Sequence, residues 1–171
     1  MIKIIDSFFE EKLFKNVKNH ITTRLIFTPR YFTDSTEKSE ENYYGSRYLL
    51  SNDKQLKNTF VTQAEKKFKF KIKNIDFDSG VDIRNYNNFK PHVDDRSKLN
   101  ILIMVAGPTA VTNGTVFYYG PEENCDLDIH VGFRENRAIL FPSNWVHSAH
   151  KSNVKNLKRY TVSLFVNDYE E

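Results

Sequence analysis

Hydrophobic and polar positions follow two rhythms along this chain, and the change near Phe70 organises the rest. Before it the spacing is helical. Ser7 with Glu10 three residues later is a capping-box pattern, and Phe9, Leu13, Val17 and Ile21 then recur four apart. That spacing predicts a first helix over about Ser7–His20, with His20 as a helix-end residue, since cations suit that end. Leu56, Phe60, Ala64 and Phe68 repeat the interval and predict a second helix over about Asn52–Lys67. Met1 to Ile5 reads as a short strand. Thr28 to Asn42 is polar and has no period, so it reads as a loop; with part of YYGSRYLL it makes Thr28–Tyr48 a candidate lid.

After Phe70 short apolar runs alternate with turn residues. VDIRNY, LNILIMV, TVFYYG, LDIHV, RAILF, WVHSAH and RYTVSLFV follow one another in quick succession. Such spacing predicts an antiparallel sandwich or barrel, not βαβ units. The expected fold class is α+β, with N-terminal helices buttressing a β-core. A chain of 171 residues fits one domain. Its expected division is a helical support and lid region over residues 1–70 and a β-core over 71–171.

Composition narrows the function classes only slightly. A net charge of +3 permits a nucleic-acid or acidic partner without arguing for one. The single cysteine, Cys125, rules out an internal disulfide framework and fits a reducing compartment. The N-terminal apolar run is broken by Lys3 and Asp6 and does not read as a signal peptide. No stretch approaches a membrane span, so a cytoplasmic location and no membrane partner are expected.

The candidate chemistry begins at FKPHVDD. In an extended segment the side chains of His92 and Asp94 point the same way, so an imidazole and a carboxylate can grip one divalent metal. A third ligand must come from elsewhere, and His130, His147 and His150 are the candidates. His147 and His150, three apart after the apolar run RAILF, should face opposite ways, so only one can join the first pair. Two histidines and one carboxylate form a facial triad that leaves half of an Fe(II) coordination sphere open. Zinc would accept the same ligands, but the spacing matches none of the usual zinc signatures. Arg159 heads the last apolar run, with Thr161 two residues on along the same face. A planar, two-pronged cation there suits the far carboxylate of a metal-chelating keto acid.

Taken in order, IRNYNNFKPHVD, NGTVFYYG, RAILFPSNWVH and RYTVSLFVN resemble the double-stranded β-helix (jelly-roll, cupin-like) core of the Fe(II)- and 2-oxoglutarate-dependent oxygenases, above all the prolyl 4-hydroxylase-like branch. The opening IKIIDSFFEEKLFKNV resembles that branch's lead-in. The resemblance implies His92, Asp94 and His147 as iron ligands and Arg159 with Thr161 at the distal carboxylate of 2-oxoglutarate. It also implies Tyr86 against the cosubstrate. The implied cofactor is Fe(II), with 2-oxoglutarate and O2 as cosubstrates. The implied reaction is hydroxylation of an unactivated C–H bond with release of succinate and carbon dioxide. A protein, peptide or amino-acid side chain is the leading substrate class, with a small molecule also open. The alternatives are nucleic-acid oxidation or demethylation, and a non-catalytic metal-binding module. Phe165 stands six residues after Arg159, where the nucleic-acid branch usually has a second arginine. The sequence departs from the family pattern at Phe89, at Met104 or a neighbour, and at Asn113-Gly114.

Overall fold

A computed structural model describes residues 1–31, 43–84, 90–109, 113–150 and 158–171. Eleven strands and two helices occur among them: β1 (Lys3–Ile5), α1 (Glu11–Arg24), β2 (Thr28–Tyr31), β3 (Tyr43–Leu49), α2 (Lys54–Phe68), β4 (Lys71–Ile75), β5 (Gly80–Arg84), β6 (Leu99–Ala106), β7 (Gly114–Tyr119), β8 (Asp126–Gly132), β9 (Arg137–Pro142), β10 (His147–Ala149) and β11 (Arg159–Glu170). The larger sheet runs β1-β9-β6-β11-β5-β3-β2, and β4 pairs with the far half of β11. The smaller sheet runs β10-β7-β8. An isolated antiparallel bridge between His92 and His147 adds the histidine-aspartate segment beside β10. This is a double-stranded β-helix in an α+β setting, and each of the seven apolar runs supplies one strand.

Strand alternation divides the interior in two. Along β11, Val162, Leu164 and Val166 join Ile101, Ile103, Val105, Ala138 and Leu140 in a core shared with the helices. The opposite faces carry Leu102, Met104, Ile139 and Phe141, which meet Phe117, Val131 and Phe133 from the smaller sheet's side. The odd-numbered residues of β11, from Arg159 to Phe165, face the space between the sheets, so one strand builds both the helix contact and a cavity wall.

Helix α2 follows its sequence closely. Leu56, Phe60, Ala64 and Phe68 are its buried face, Asp53 accepts the Leu56 N–H at 2.8 Å as N-cap, and Lys69 closes it at φ 64°. Helix α1 departs from expectation. It starts at Glu11 and runs past His20 to Arg24, and neither Ser7 nor Glu10 forms a capping box. The cause is a long-range tie. Asn136 accepts the Phe8 N–H at its carbonyl (2.9 Å) and the Phe9 N–H at Oδ1 (2.8 Å), while its Nδ2 donates to the Phe9 carbonyl (2.9 Å). That holds Phe8 and Phe9 outside the helix and fully buried. The buried face becomes Phe14, Val17 and Ile21, with Leu13 41% exposed. His20 lies within the helix, 3.4 Å from the Asp53 carboxylate.

The reading of Thr28–Asn42 as a loop is corrected at its start. Thr28–Tyr31 and Tyr43–Leu49 pair as strands, and β3 continues the main sheet beside β5; residues 32–42 lie outside the described residues. With β1 paired to β9, the first 70 residues contribute strands to the main sheet as well as helices. Among the described residues no helix is long and apolar enough to cross a membrane. Asp53→Ala removes the α2 cap and is expected to destabilise the protein by about 1 kcal/mol, read as a lowered urea midpoint at unchanged slope.

Candidate metal centre

The bridge between His92 and His147 sets the geometry of the site. Each N–H donates to the other residue's carbonyl, at 3.0 and 2.9 Å. Residues directly opposed in an antiparallel pair project from the same face, so both imidazoles enter the same space. Asp94, two residues along, follows them, its N–H held by the Ser143 carbonyl at 2.9 Å. The result is one cluster: a donor atom from each of His92, Asp94 and His147 lies within 4.8 Å of the others. His147 Nε2 is 3.3 Å from Asp94 Oδ2, and His92 Nε2 is 3.9 Å from Asp94 Oδ1.

Both rings are oriented from behind. His92 Nδ1 meets the Lys90 carbonyl at 3.0 Å and His147 Nδ1 meets the Trp145 carbonyl at 2.9 Å. A carbonyl can only accept, so the ring proton belongs on Nδ1 and the Nε2 lone pair faces the cluster. Burial first, then the adjacent His147, pulls the His92 imidazolium down to about 4, leaving a neutral ring at pH 7. Burial pushes the Asp94 carboxyl up, but the neighbouring His147, His92 and Arg47 outweigh this and hold it below the ordinary carboxylate value. Neutral imidazole beside ionised carboxylate is the state a divalent cation requires.

The cluster opens into a cavity of about 190 Å³ whose walls include Leu102, Thr115, Phe141, Thr161, Ser163 and Phe165. Arg159 lies at the β7 end of this cavity, 5% exposed. Its Nη1 donates to the Gly114 carbonyl and, at 3.4 Å, to Asn113 Oδ1; its Nε has no partner. No carboxylate pairs with it among the described residues. Burial and the neighbouring Arg84 pull the guanidinium down to about 9, the Asp82 charge offsetting this only in part, so it stays charged at neutral pH with no paired carboxylate among the described residues. A buried cation in that condition suits an anionic ligand.

Most of the residues expected at the site are found there. His92, Asp94, His147, Arg159 and Thr161 all line the cavity. Tyr86 and Phe89 lie outside the described residues. His150 is turned away and packs at a tilt against His130, with ring centroids 4.7 Å apart, as opposite-facing positions require. Met104 is buried in the inter-sheet core, and Leu102 and Asn100 line the cavity from that strand instead. The unusual Asn113-Gly114 pair supplies both acceptors for Arg159. A Cβ at Gly114 would stand 2.4 Å from the Val131 carbonyl oxygen, so this position needs glycine. Trp145 packs on Phe117, and Tyr119 is exposed while Tyr118 bonds Ser148 at 2.9 Å.

A charged wall on the β3 side was not foreseen. Arg47 forms a two-pronged pair with buried Asp82 at 2.8 and 2.9 Å and reaches Asp78 Oδ2 at 2.6 Å. Asp78 also binds Arg30, and the Arg47 guanidinium lies 5.6 Å from the centre of the Phe165 ring. Arg30 and Arg47 come from the stretch read as a lid, so period alone concealed them. Arg84 was open to inference, since it stands opposite Arg159 in the strand register.

No protein-family model and no curated protein matches the chain, but solved structures do. A prolyl hydroxylase from Trichoplax adhaerens, in complex with a hypoxia-inducible-factor oxygen-degradation-domain peptide, aligns with a TM-score of 0.62 at 14% identity, over 98% of this chain and 83% of that one. The non-heme α-ketoglutarate-dependent epimerase SnoN of nogalamycin biosynthesis aligns at 0.65 and 9% identity, over 97% and 78%. A 2OG-Fe(II) oxygenase-family oxidoreductase from Burkholderia pseudomallei aligns at 0.65 and 11% identity, over 99% and 85%. The chain has the fold of the 2-oxoglutarate- and Fe(II)-dependent oxygenases. The similarity extends along nearly its whole described length and embraces members outside the prolyl hydroxylase branch.

The Asp82 pair gives a pH prediction. Burial raises the Asp82 carboxyl, but Arg47 and Arg84 more than offset this and hold it below the ordinary value. A carboxylate depressed in the folded state contributes stability that is complete above its unfolded value, about 3.9, and is lost as pH falls through the folded value. Asp82→Asn leaves Arg47 facing an amide and is expected to cost about 3–5 kcal/mol at pH 7. In denaturant midpoints measured from pH 7 down to 2, the loss should shrink toward the acid end.

Proposed function

We propose that the chain is an Fe(II)- and 2-oxoglutarate-dependent dioxygenase that hydroxylates an unactivated C–H bond. Its leading substrate class is a protein, peptide or amino-acid side chain, and succinate and carbon dioxide are released. The observation that carries this reading is the placement in one cavity of a two-imidazole, one-carboxylate cluster and a buried guanidinium with no paired carboxylate among the described residues. Both groups fit the residues present: the donor set suits a ferrous ion, and the orphaned Arg159 suits the far carboxylate of a dicarboxylic keto acid.

Each side chain then has a distinct task. His92, Asp94 and His147 would hold the ion from one side, their rings fixed by the Lys90 and Trp145 carbonyls. A ferrous ion held by these three residues would supply the oxidising chemistry, with the keto acid and dioxygen as its co-reactants. Arg159 binds the distal carboxylate by charge-assisted hydrogen bonds in a site shielded from water, with the buried Thr161 hydroxyl beside it. Leu102, Phe141 and Phe165 give the cavity apolar walls that exclude bulk water. The two similar structures with named ligands carry a peptide in one case and nogalamycin RO in the other, so both substrate types belong in a screen for succinate release.

Anaerobic titration of Fe(II) with 2-oxoglutarate should develop the weak visible charge-transfer band of the chelate. A well-folded sample without that band would instead be a non-catalytic module. Arg159→Ala should weaken 2-oxoglutarate binding by about 2–5 kcal/mol while iron still binds. His147→Ala should abolish iron binding and His150→Ala should not. The reverse pattern would remove His147 from the ligand set.

A further inference from the structure

Asn100 is the first polar residue of the apolar run LNILIMV, on β6 between β9 and β11, opposite Phe141 and Phe165. It is 3% exposed and lines the cavity beside the metal cluster. A buried primary amide inside an apolar strand is costly unless its donors and acceptor are satisfied. Here the two ends of the amide are treated differently. Nδ2 donates to Asp94 Oδ2 at 2.5 Å, while Oδ1 is buried without a partner among the described residues. The assignment of nitrogen and oxygen follows from charge, because only the nitrogen end can face a carboxylate held ionised.

We propose that Asn100 is a positioning residue for the metal centre: it fixes Asp94 through Oδ2 so that the carboxylate offers Oδ1 to the ion as a single-oxygen ligand. This rests on the proposed function above. Four observations converge on it. Asp94 Oδ2 is already engaged by Asn100 and lies beside His147 Nε2. Oδ1 has no hydrogen bond among the described residues and stands 3.9 Å from His92 Nε2. The Asp94 backbone is tied separately, through Ser143, so Asn100 governs the rotation of the carboxylate and not the path of the chain. Finally, Asn100 Oδ1 is buried without a partner among the described residues, so the bond to Asp94 is the one polar contact that holds the amide there. A residue kept only for packing would be apolar, as Ile101, Leu102 and Ile103 beside it are.

The test uses Co(II) alone, without 2-oxoglutarate, added anaerobically to the full-length protein and followed by its d–d absorption. Asn100→Ala enlarges an existing cavity instead of creating a sealed void, and Asn100→Ser restores a short hydroxyl donor; circular dichroism and apoprotein Tm are measured for both. The expected result is a Co(II) Kd raised roughly 10–100-fold in Asn100→Ala, an altered d–d spectrum, an apoprotein Tm near that of wild type, and partial recovery in Asn100→Ser. Wild-type affinity and an unchanged spectrum in Asn100→Ala, with wild-type protein binding normally, would overturn this assignment alone. A Tm loss in both variants with unchanged Kd in the folded fraction would also overturn it, as a purely structural role. Failure of the wild-type protein to bind Co(II) would overturn both this assignment and the proposed function.

Discussion

Two backbone hydrogen bonds, exchanged between His92 and His147, govern the candidate site. They pair residues that lie far apart in sequence and oblige two imidazoles to leave the same face of the smaller sheet. Once that pair is set, the period-two geometry of an extended chain brings Asp94 in without further instruction. A slip of one residue in this register would send either histidine to the opposite face. The carbonyls of Lys90 and Trp145 then hold the rings so that both Nε2 atoms face inward. The donor set is therefore a consequence of pairing register, supplemented by one hydrogen bond from Asn100.

Strand β11 supplies the second constraint. Its even positions, Val162, Leu164 and Val166, belong to the core that the helices cover, and its odd positions, Arg159, Thr161, Ser163 and Phe165, line the cavity. Stability and ligand chemistry share one strand and are separated by its two faces. The cavity is polar at Arg159 and Thr161 and bounded by Phe165 and the Arg47–Asp82–Asp78 network at the far end of that row. Burying so many charges is tolerable because Asp82 and Arg47 satisfy one another in two-pronged fashion. Arg159 has no such paired carboxylate among the described residues and is held by the Gly114 carbonyl and Asn113 Oδ1 instead.

Much of this was legible in the sequence because it depends on short periods. The fourfold spacing of Leu56, Phe60, Ala64 and Phe68 gave the buried face of α2, and each apolar run after Phe70 became a strand. The opposite orientation of His147 and His150 followed from extended-chain geometry alone. What escaped depends on partners distant in sequence. Asn136 captures Phe8 and Phe9 and so delays α1 beyond its local start signal. The polar stretch after Thr28 has no apolar period; its described part is the edge strand β2, which carries Arg30 to the cavity, and β3 beside it carries Arg47. Asn100 was visible as a lone polar residue in an apolar run, but its role needed the position of Asp94.

The most direct test is where a metal ion binds. Crystals grown anaerobically with Mn(II), a redox-stable stand-in for Fe(II), should show one strong anomalous peak in the inter-sheet cavity, at coordination distance from His92 Nε2, His147 Nε2 and one oxygen of Asp94. An anomalous map without a peak there, or with the ion bound at the His130–His150 pair instead, would contradict the account.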